Sequence, residues 1–186
     1  MELRRPAHEH LPAYVAALER GWSPDNVRGA LAALDELDRI ADDADAFLAT
    51  LDDPEALGPP IPLPDGSRVA RLPGFRRWMW ADGEFVGSIS LRWQRGTPAL
   101  PPYCLGHVGY AVVPWRQRRG HARAALRALL PLARGVGLPW VEITTDVDNL
   151  ASQRVIEAAG GFLVERFTKP AVYGGAPGLR FRIDLG

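Results

Sequence analysis

Cysteine is almost absent: one in 186 residues. No disulfide can form within the chain, which fits a reducing compartment. Cys104 reads as a small, partly buried apolar side chain rather than a nucleophile. Neither sign of charge is in excess, because 22 Lys and Arg balance 22 Asp and Glu. A neutral chain has no bulk field to draw nucleic acid or an anionic membrane surface. Long uncharged apolar runs are missing, and the N-terminus lacks a secretory pattern. The expectation is one cytoplasmic domain over residues 1–186, with no membrane or nucleic-acid partner and no metal site.

What is present is organised around Val112-Val113-Pro114-Trp115-Arg116-Gln117-Arg118-Arg119-Gly120-His121-Ala122. An apolar run, Val108 to Val113, enters it, and a helix-like run, Arg123 to Arg134, leaves it. A strand that hands over to a helix leaves the first helical N–H groups unpaired beyond the strand end. The helix dipole makes that end electropositive. Gly120 has no Cβ, so a ligand can approach the backbone there. The stretch reads as a seat for a phosphate or pyrophosphate. It has neither the Lys-Ser/Thr ending of a P-loop nor the three-glycine dinucleotide fingerprint. Read without its context, the Arg cluster is a solvated turn.

Before this stretch, Leu11, Tyr14, Val15 and Leu18 recur at helical spacing and stop at Gly21. From Asn26 to Leu51, Val27, Leu31, Leu34, Leu37, Ile40, Phe47 and Leu51 repeat at mostly helical intervals, predicting one helix or two in series. Residues 53–74, with Pro54, Pro59, Pro60, Pro62 and Pro64, read as a loop of the length used for lids or binding loops. Asp82-Gly83 between Phe75–Trp80 and Phe85–Trp93 predicts a hairpin, with a bulge or close contact at Gly87. A second Pro/Gly loop precedes the buried strand 107–113. After it come a helix kinked near Pro131, a strand at 140–145, a helix capped by Asp148 or Asn149, and strands at 162–167 and 179–184. That order predicts a mixed α/β sheet with helices on both faces.

The spacing Gln117-x-x-Gly120-x-Ala122 resembles the pyrophosphate motif of the GNAT acyltransferase superfamily, Arg/Gln-x-x-Gly-x-Gly/Ala. Asn149-Leu150-Ala151-Ser152, followed by Gly160-Gly161-Phe162, resembles that family's second signature. The resemblance covers roughly Arg77 to Phe167, and between His107 and Gly161 it is similar to a bacterial branch. It implies a GNAT-like acyl-CoA N-acyltransferase fold, α/β (α+β), with parallel strands 107–113 and 140–146 splayed apart in a central mixed sheet. Residues 1–60 would form a helical cover and 75–185 the sheet and CoA-binding core.

The same resemblance implies an N-acetyltransferase that moves acetyl from acetyl-CoA directly to an amine. The acceptor would be a small-molecule or protein amine, and a homodimer is a compatible assembly. Ala111, Val112 and Val113 would offer main-chain groups to pantetheine. Gln117, Arg118, Arg119, Gly120, His121 and Ala122 would wrap the diphosphate. Asn149 and Ser152 would meet the pantetheine arm, although Asn149 reads equally as a helix cap.

The usual proton-transfer residues are missing. Ile156 stands where many members have Tyr, and Thr144 where some have Glu. Glu142, Tyr110 and His107 are the local candidates, with Asp146 beside them. For each the plain structural role is favoured: core tyrosine, buried neutral histidine, exposed strand glutamate. The alternative function is a non-catalytic acyl-CoA-binding sensor.

Overall fold

A computed structural model describes residues 1–63 and 65–186. Pro64, counted above among the loop prolines, lies outside the described residues. In chain order the strands are β1 (Glu2–Arg4), β2 (Asp52–Asp53), β3 (Ile61–Pro62), β4 (Arg68–Val69), β5 (Gly74–Ala81), β6 (Glu84–Arg92), β7 (Val108–Val112), β8 (Trp140–Asp146), β9 (Phe162–Thr168) and β10 (Pro177–Asp184). The helices are α1 (Leu11–Glu19), α2 (Ala30–Asp42), α3 (Ala44–Thr50), α4 (His121–Gly135) and α5 (Leu150–Glu157).

The run Asn26–Leu51 resolves into two helices because Asp43 is extended (φ −154°, ψ 97°) and its carboxylate accepts from Ala46 N–H, starting α3. The apolar stripe expected to face inward is only partly buried. Leu31 and Leu34 are 68% and 59% exposed, while Ala32, Ala33 and Glu36 are buried. α2 is turned so that Glu36 reaches inward. There it accepts from Arg76 Nη1 at 2.9 Å and from the Tyr14 hydroxyl. Arg76 Nη1 also donates to the Tyr14 hydroxyl, at 2.9 Å. Arg76 left here without a carboxylate would be an unpaired, partly buried charge, and the inward turn of Glu36 avoids that while leaving Leu31 and Leu34 outside.

β5 and β6 form the expected hairpin, and Asp82 (φ 53°) and Gly83 (φ 78°) both take the positive φ of a tight primed turn. At Gly87 a Cβ would fall 2.2 Å from the Ala111 carbonyl oxygen, so the close contact expected there exists and only glycine fits it. The loop 53–74 contains the short β3–β4 hairpin.

The strands divide into an antiparallel sheet in which β1, β5, β6 and β7 lie in that order, with β2 also on β5, and a second antiparallel sheet ordered β8, β10, β9. The mixed helix-and-sheet class expected from the sequence stands, but among the described residues every ladder is antiparallel. The strand–helix–strand passage through α4, the connection used between strands that run the same way, brings β7 and β8 together without a ladder. They meet at one point: His107 N–H donates to Glu142 O at 2.8 Å, and Glu142 N–H donates to His107 Nδ1 at 3.0 Å. Past that point they part.

Helices cover both sides. α4 and α5 bury Leu126, Leu129 and Ile156 against Met79, Ile89, Val141, Ile143 and Phe181. α1 and α3 bury Tyr14, Leu18 and Phe47 against Trp78, Phe85, Ala111 and Val113. Burying side chains of this size contributes on the order of 1.5–3 kcal/mol each, the main term holding the helices to the sheets.

Candidate active site

The strand end is built from local chemistry. Pro114, which cannot donate to a ladder, stops β7 and opens a 3-10 turn, Pro114–Arg116. That turn is pinned from outside. Arg116 pairs with Glu84, and Arg20 stacks over the Trp115 ring at 3.6 Å. Arg118 (φ 61°) and Gly120 (φ 81°) are both left-handed, with helix α4 starting at His121. The first backbone bond of the helix runs from Ala124 N–H to Gly120 O at 3.0 Å. Among the described residues no protein atom accepts from the N–H groups of Arg118, Arg119, Gly120, His121, Ala122 or Arg123. Successive amides in alternating left- and right-handed conformations form a concave nest for an anion, and here the positive end of a 15-residue helix reinforces it. A Cβ on Gly120 would meet nothing within 4 Å, so the space above these amides is open.

His121, the first residue of α4, has its Nε2 buried and, among the described residues, without a hydrogen-bond partner. Burial, and then the charges of Arg116 and Arg119, hold its pKa below the ordinary imidazole value.

Beside the nest runs the free edge of β7. Val113 N–H donates to Val86 O at 3.0 Å, so Val113 is tied to β6. The two-residue alternation of an antiparallel ladder then turns Ala111 toward β6 as well, and leaves Tyr110 and Val112 on the opposite edge. This corrects the carrier contacts expected from the sequence: of Ala111, Val112 and Val113, only Val112 presents its main chain to the gap, and Tyr110 joins it. Both edge carbonyls already have side-chain amides against them. Asn26 Nδ2 donates to Tyr110 O at 3.2 Å, and Gln117 Nε2 donates to Val112 O at 3.2 Å. Gln117 therefore meets the strand edge through its side chain, while its backbone N–H donates to Pro114 O at 3.4 Å and stands outside the open row of amides.

On the far side, Asn149 caps α5, its Oδ1 accepting from Ser152 N–H at 3.0 Å. The Ser152 hydroxyl meets the Tyr110 hydroxyl at 2.8 Å, so the second signature touches the free strand edge through Ser152. Ile156 is fully buried. A Cβ on Gly161 would lie 2.4 Å from Ile156 Cγ2, which explains the glycine that closes the signature.

The three proton-transfer candidates separate. Glu142 accepts from Arg182 at 2.9 Å and from Arg180 at 3.3 Å, so it is tied between two guanidiniums rather than exposed as expected. His107 is 0% exposed, accepts at Nδ1 from Glu142 N–H and faces Pro98 O with Nε2 at 3.0 Å. These partners fix the Nε2–H tautomer, and burial lowers the pKa, so the ring is neutral and fully committed. It acts as a clasp between the two sheets. Tyr110 alone keeps a hydroxyl proton between β7 and the first turn of α5; burial raises its pKa.

Some contacts at this site had no sequence signal. Asn26 lies in a stretch that reads only as a helix start, and its partner is 84 residues away. Ser23-Pro24-Asp25 reads as a helix start, but α2 begins only at Ala30, and before it Val27 N–H and Arg28 N–H donate to Asp25 Oδ1 at 2.8 and 2.9 Å in an Asx turn. Among the described residues no helix is long and apolar enough to cross a membrane.

Residues 1–161 match the family profile of the acetyltransferase (GNAT) domain. No curated protein sequence matches the chain. Among solved structures, the chain is similar to the microcin self-immunity acetyltransferase MccE in complex with acetyl-CoA and AMP, at 12% identity over 98% of this chain and 91% of that one, with a TM-score of 0.64. RimL, a ribosomal α-N-protein acetyltransferase in complex with coenzyme A, matches at 16% identity over 98% and 92%, with a TM-score of 0.61. A chimera of the spermidine N-acetyltransferase SpeG from Vibrio cholerae matches at 12% identity over 100% and 97%, with a TM-score of 0.63. At these identities the likeness is one of fold.

Proposed function

Because the chain belongs to the GNAT acetyltransferase family, we propose that it moves an acetyl group from acetyl-CoA directly to the nitrogen of an amine. The observation that carries this reading is the row of unpartnered N–H groups from Arg118 to Arg123 at the end of a strand with a free edge. Arg118 to Ala122 wrap the diphosphate through these amides, Gln117 N–H being turned to Pro114 O, and Arg118 and Arg119 add charge. Tyr110 and Val112 pair with the two amides of the pantetheine arm, in the places that Asn26 and Gln117 occupy at their carbonyls. Asn26 and Gln117 then release those carbonyls or share them.

Tyr110 N–H polarises the thioester carbonyl. The amine attacks as the free base, the C–N bond forms and the C–S bond breaks. The Tyr110 hydroxyl gives its proton to the leaving thiolate and is held for that by Ser152. Glu142 is bound by two arginines, so the amine loses its proton to water rather than to a carboxylate of this sheet.

A second reading is a non-catalytic acyl-CoA sensor. It is favoured by Ile156 at the expected tyrosine position and by the full commitment of His107 and Glu142. Calorimetry with acetyl-CoA, joined to a thiol-release assay over an amine panel, separates the two. Binding with turnover supports the transferase, binding without turnover on any amine supports the sensor, and no binding sinks both.

A further inference from the structure

Arg76 and Arg92 both lie on the sheet face that α1 and α3 cover, and they are treated differently. Arg76 on β5 is matched by Glu36 and Tyr14. Arg92 on β6 is half-buried, and among the described residues no carboxylate lies within 4 Å of it. Its side-chain hydrogen bond goes to the Ser90 hydroxyl, at 3.0 Å. A partly desolvated guanidinium with one neutral partner is costly to keep, and unspent N–H groups in a fixed fork suit a carboxylate.

The position of Arg92 matters as much as its charge. Ser90 pairs with Gly109 across the ladder. A Cβ on Gly109 would lie 3.2 Å from Arg92 Nη2, so the guanidinium fills the space that glycine leaves over β7. Gly109 is the residue before Tyr110, one step of about 3.4 Å along the strand. The guanidinium therefore sits beside the start of the free edge, on the side opposite Tyr110's ring, which packs with the α4–α5 core. Asn26, which reaches Tyr110 O, comes from the loop between α1 and α2. On the ladder Arg92 stands between Gly74 and His107, and its side chain leans along the strand to Ser90 and Gly109; Ser88 and Ala111, one pair farther on, are buried under α1 and α3.

We infer that Arg92 binds a carboxylate of the acceptor, so that the amine acetylated here belongs to a molecule with an acidic group a few bonds from its nitrogen. The inference rests on the transferase reading above. Two sources offer that chemistry: a free amino acid, or a peptide whose N-terminal residue is Asp or Glu.

The test compares acceptors that differ only in the acid. Glutamate is set against its diamide, and peptides starting with Asp or Glu against those starting with Asn or Gln. The inference expects kcat/KM to favour the acidic member of at least one pair, and Arg92→Gln to lower that value about 10- to 100-fold, chiefly through KM. The neutral member should be nearly unchanged, as should the affinity for acetyl-CoA. Arg92→Lys, which keeps the charge but loses the fork, should recover part of the loss. Which pair responds identifies the source. Calorimetry with the N-acetylated acid on the CoA-bound protein gives a readout without turnover, and Arg92→Gln should weaken it. Equal loss on acidic and neutral acceptors, or no preference for the acid in turnover or binding, overturns the inference. Failure of acetyl-CoA itself to bind would instead overturn the transferase reading.

Discussion

Gly120→Ala isolates the anion nest from the rest of the fold. Gly120 has φ 81° and ψ 2°, and a Cβ there meets no atom within 4 Å. The folded protein therefore loses only the backbone preference, about 1 kcal/mol for alanine in the left-handed region. For a chain of this size that lowers Tm by roughly 2–4 °C. The ligand meets a different cost. A methyl group over the amides of Gly120 and His121 holds a diphosphate oxygen away from them, and a charge-assisted hydrogen bond contributes about 1.5–3 kcal/mol. Loss of one such bond weakens acetyl-CoA binding about 10- to 150-fold, and Gly120→Trp should abolish it. Titration calorimetry measures the affinity while a melting curve reports the fold. S-acetylpantetheine, which has the arm without the diphosphate, should bind wild type and variant alike. An unchanged affinity for acetyl-CoA in a folded Gly120→Ala protein would refute the placement of the diphosphate.

Three further outcomes follow from the geometry. Tyr110→Phe removes the hydroxyl at the first turn of α5 and should lower kcat on the order of 100-fold or more with little change in acetyl-CoA affinity, read by single-turnover thiol release. Ile156→Ala empties a fully buried position, costing about 2–5 kcal/mol in denaturant unfolding, with turnover at low temperature kept. His107 has a pKa depressed in the fold, so the unfolded chain binds its proton first. Its contribution to stability is complete above about pH 6.5 and is lost as pH falls from there through the depressed folded value. Melting curves between pH 7.5 and pH 5 should show that slope in the wild type, and His107→Gln should flatten it; an unchanged slope would mean that other groups set it.

The strand–turn–helix around Gly120 was readable because each signal is local. Pro114 stops a ladder, Gly120 allows a left-handed residue, and the apolar period of α4 sets its buried face. The Asp82-Gly83 hairpin is legible for the same reason. The inward turn of α2 was not, because it depends on Arg76, which is 40 residues from Glu36. The same holds for Asn26 on Tyr110 and for the clasp of His107 on Glu142. None of these pairings leaves a period or a spacing in the chain. β1 is three residues long, too short to carry an alternation, and it was missed. The free edge was misassigned by one residue because the side of a strand that faces a gap follows from its ladder register, which is set across the sheet.

β10 runs between β8 and β9 although it follows both in the chain. While the nascent polypeptide is still being made, β8 has neither that neighbour nor a ladder to β7. The clasp at His107 has nothing rigid to grip until residues 177–184 arrive. Leu179, Phe181 and Ile183 also sit in the core that both sheets share, so a protein trimmed before Pro177 should lose the cleft's second wall and loosen the packing of its first sheet together.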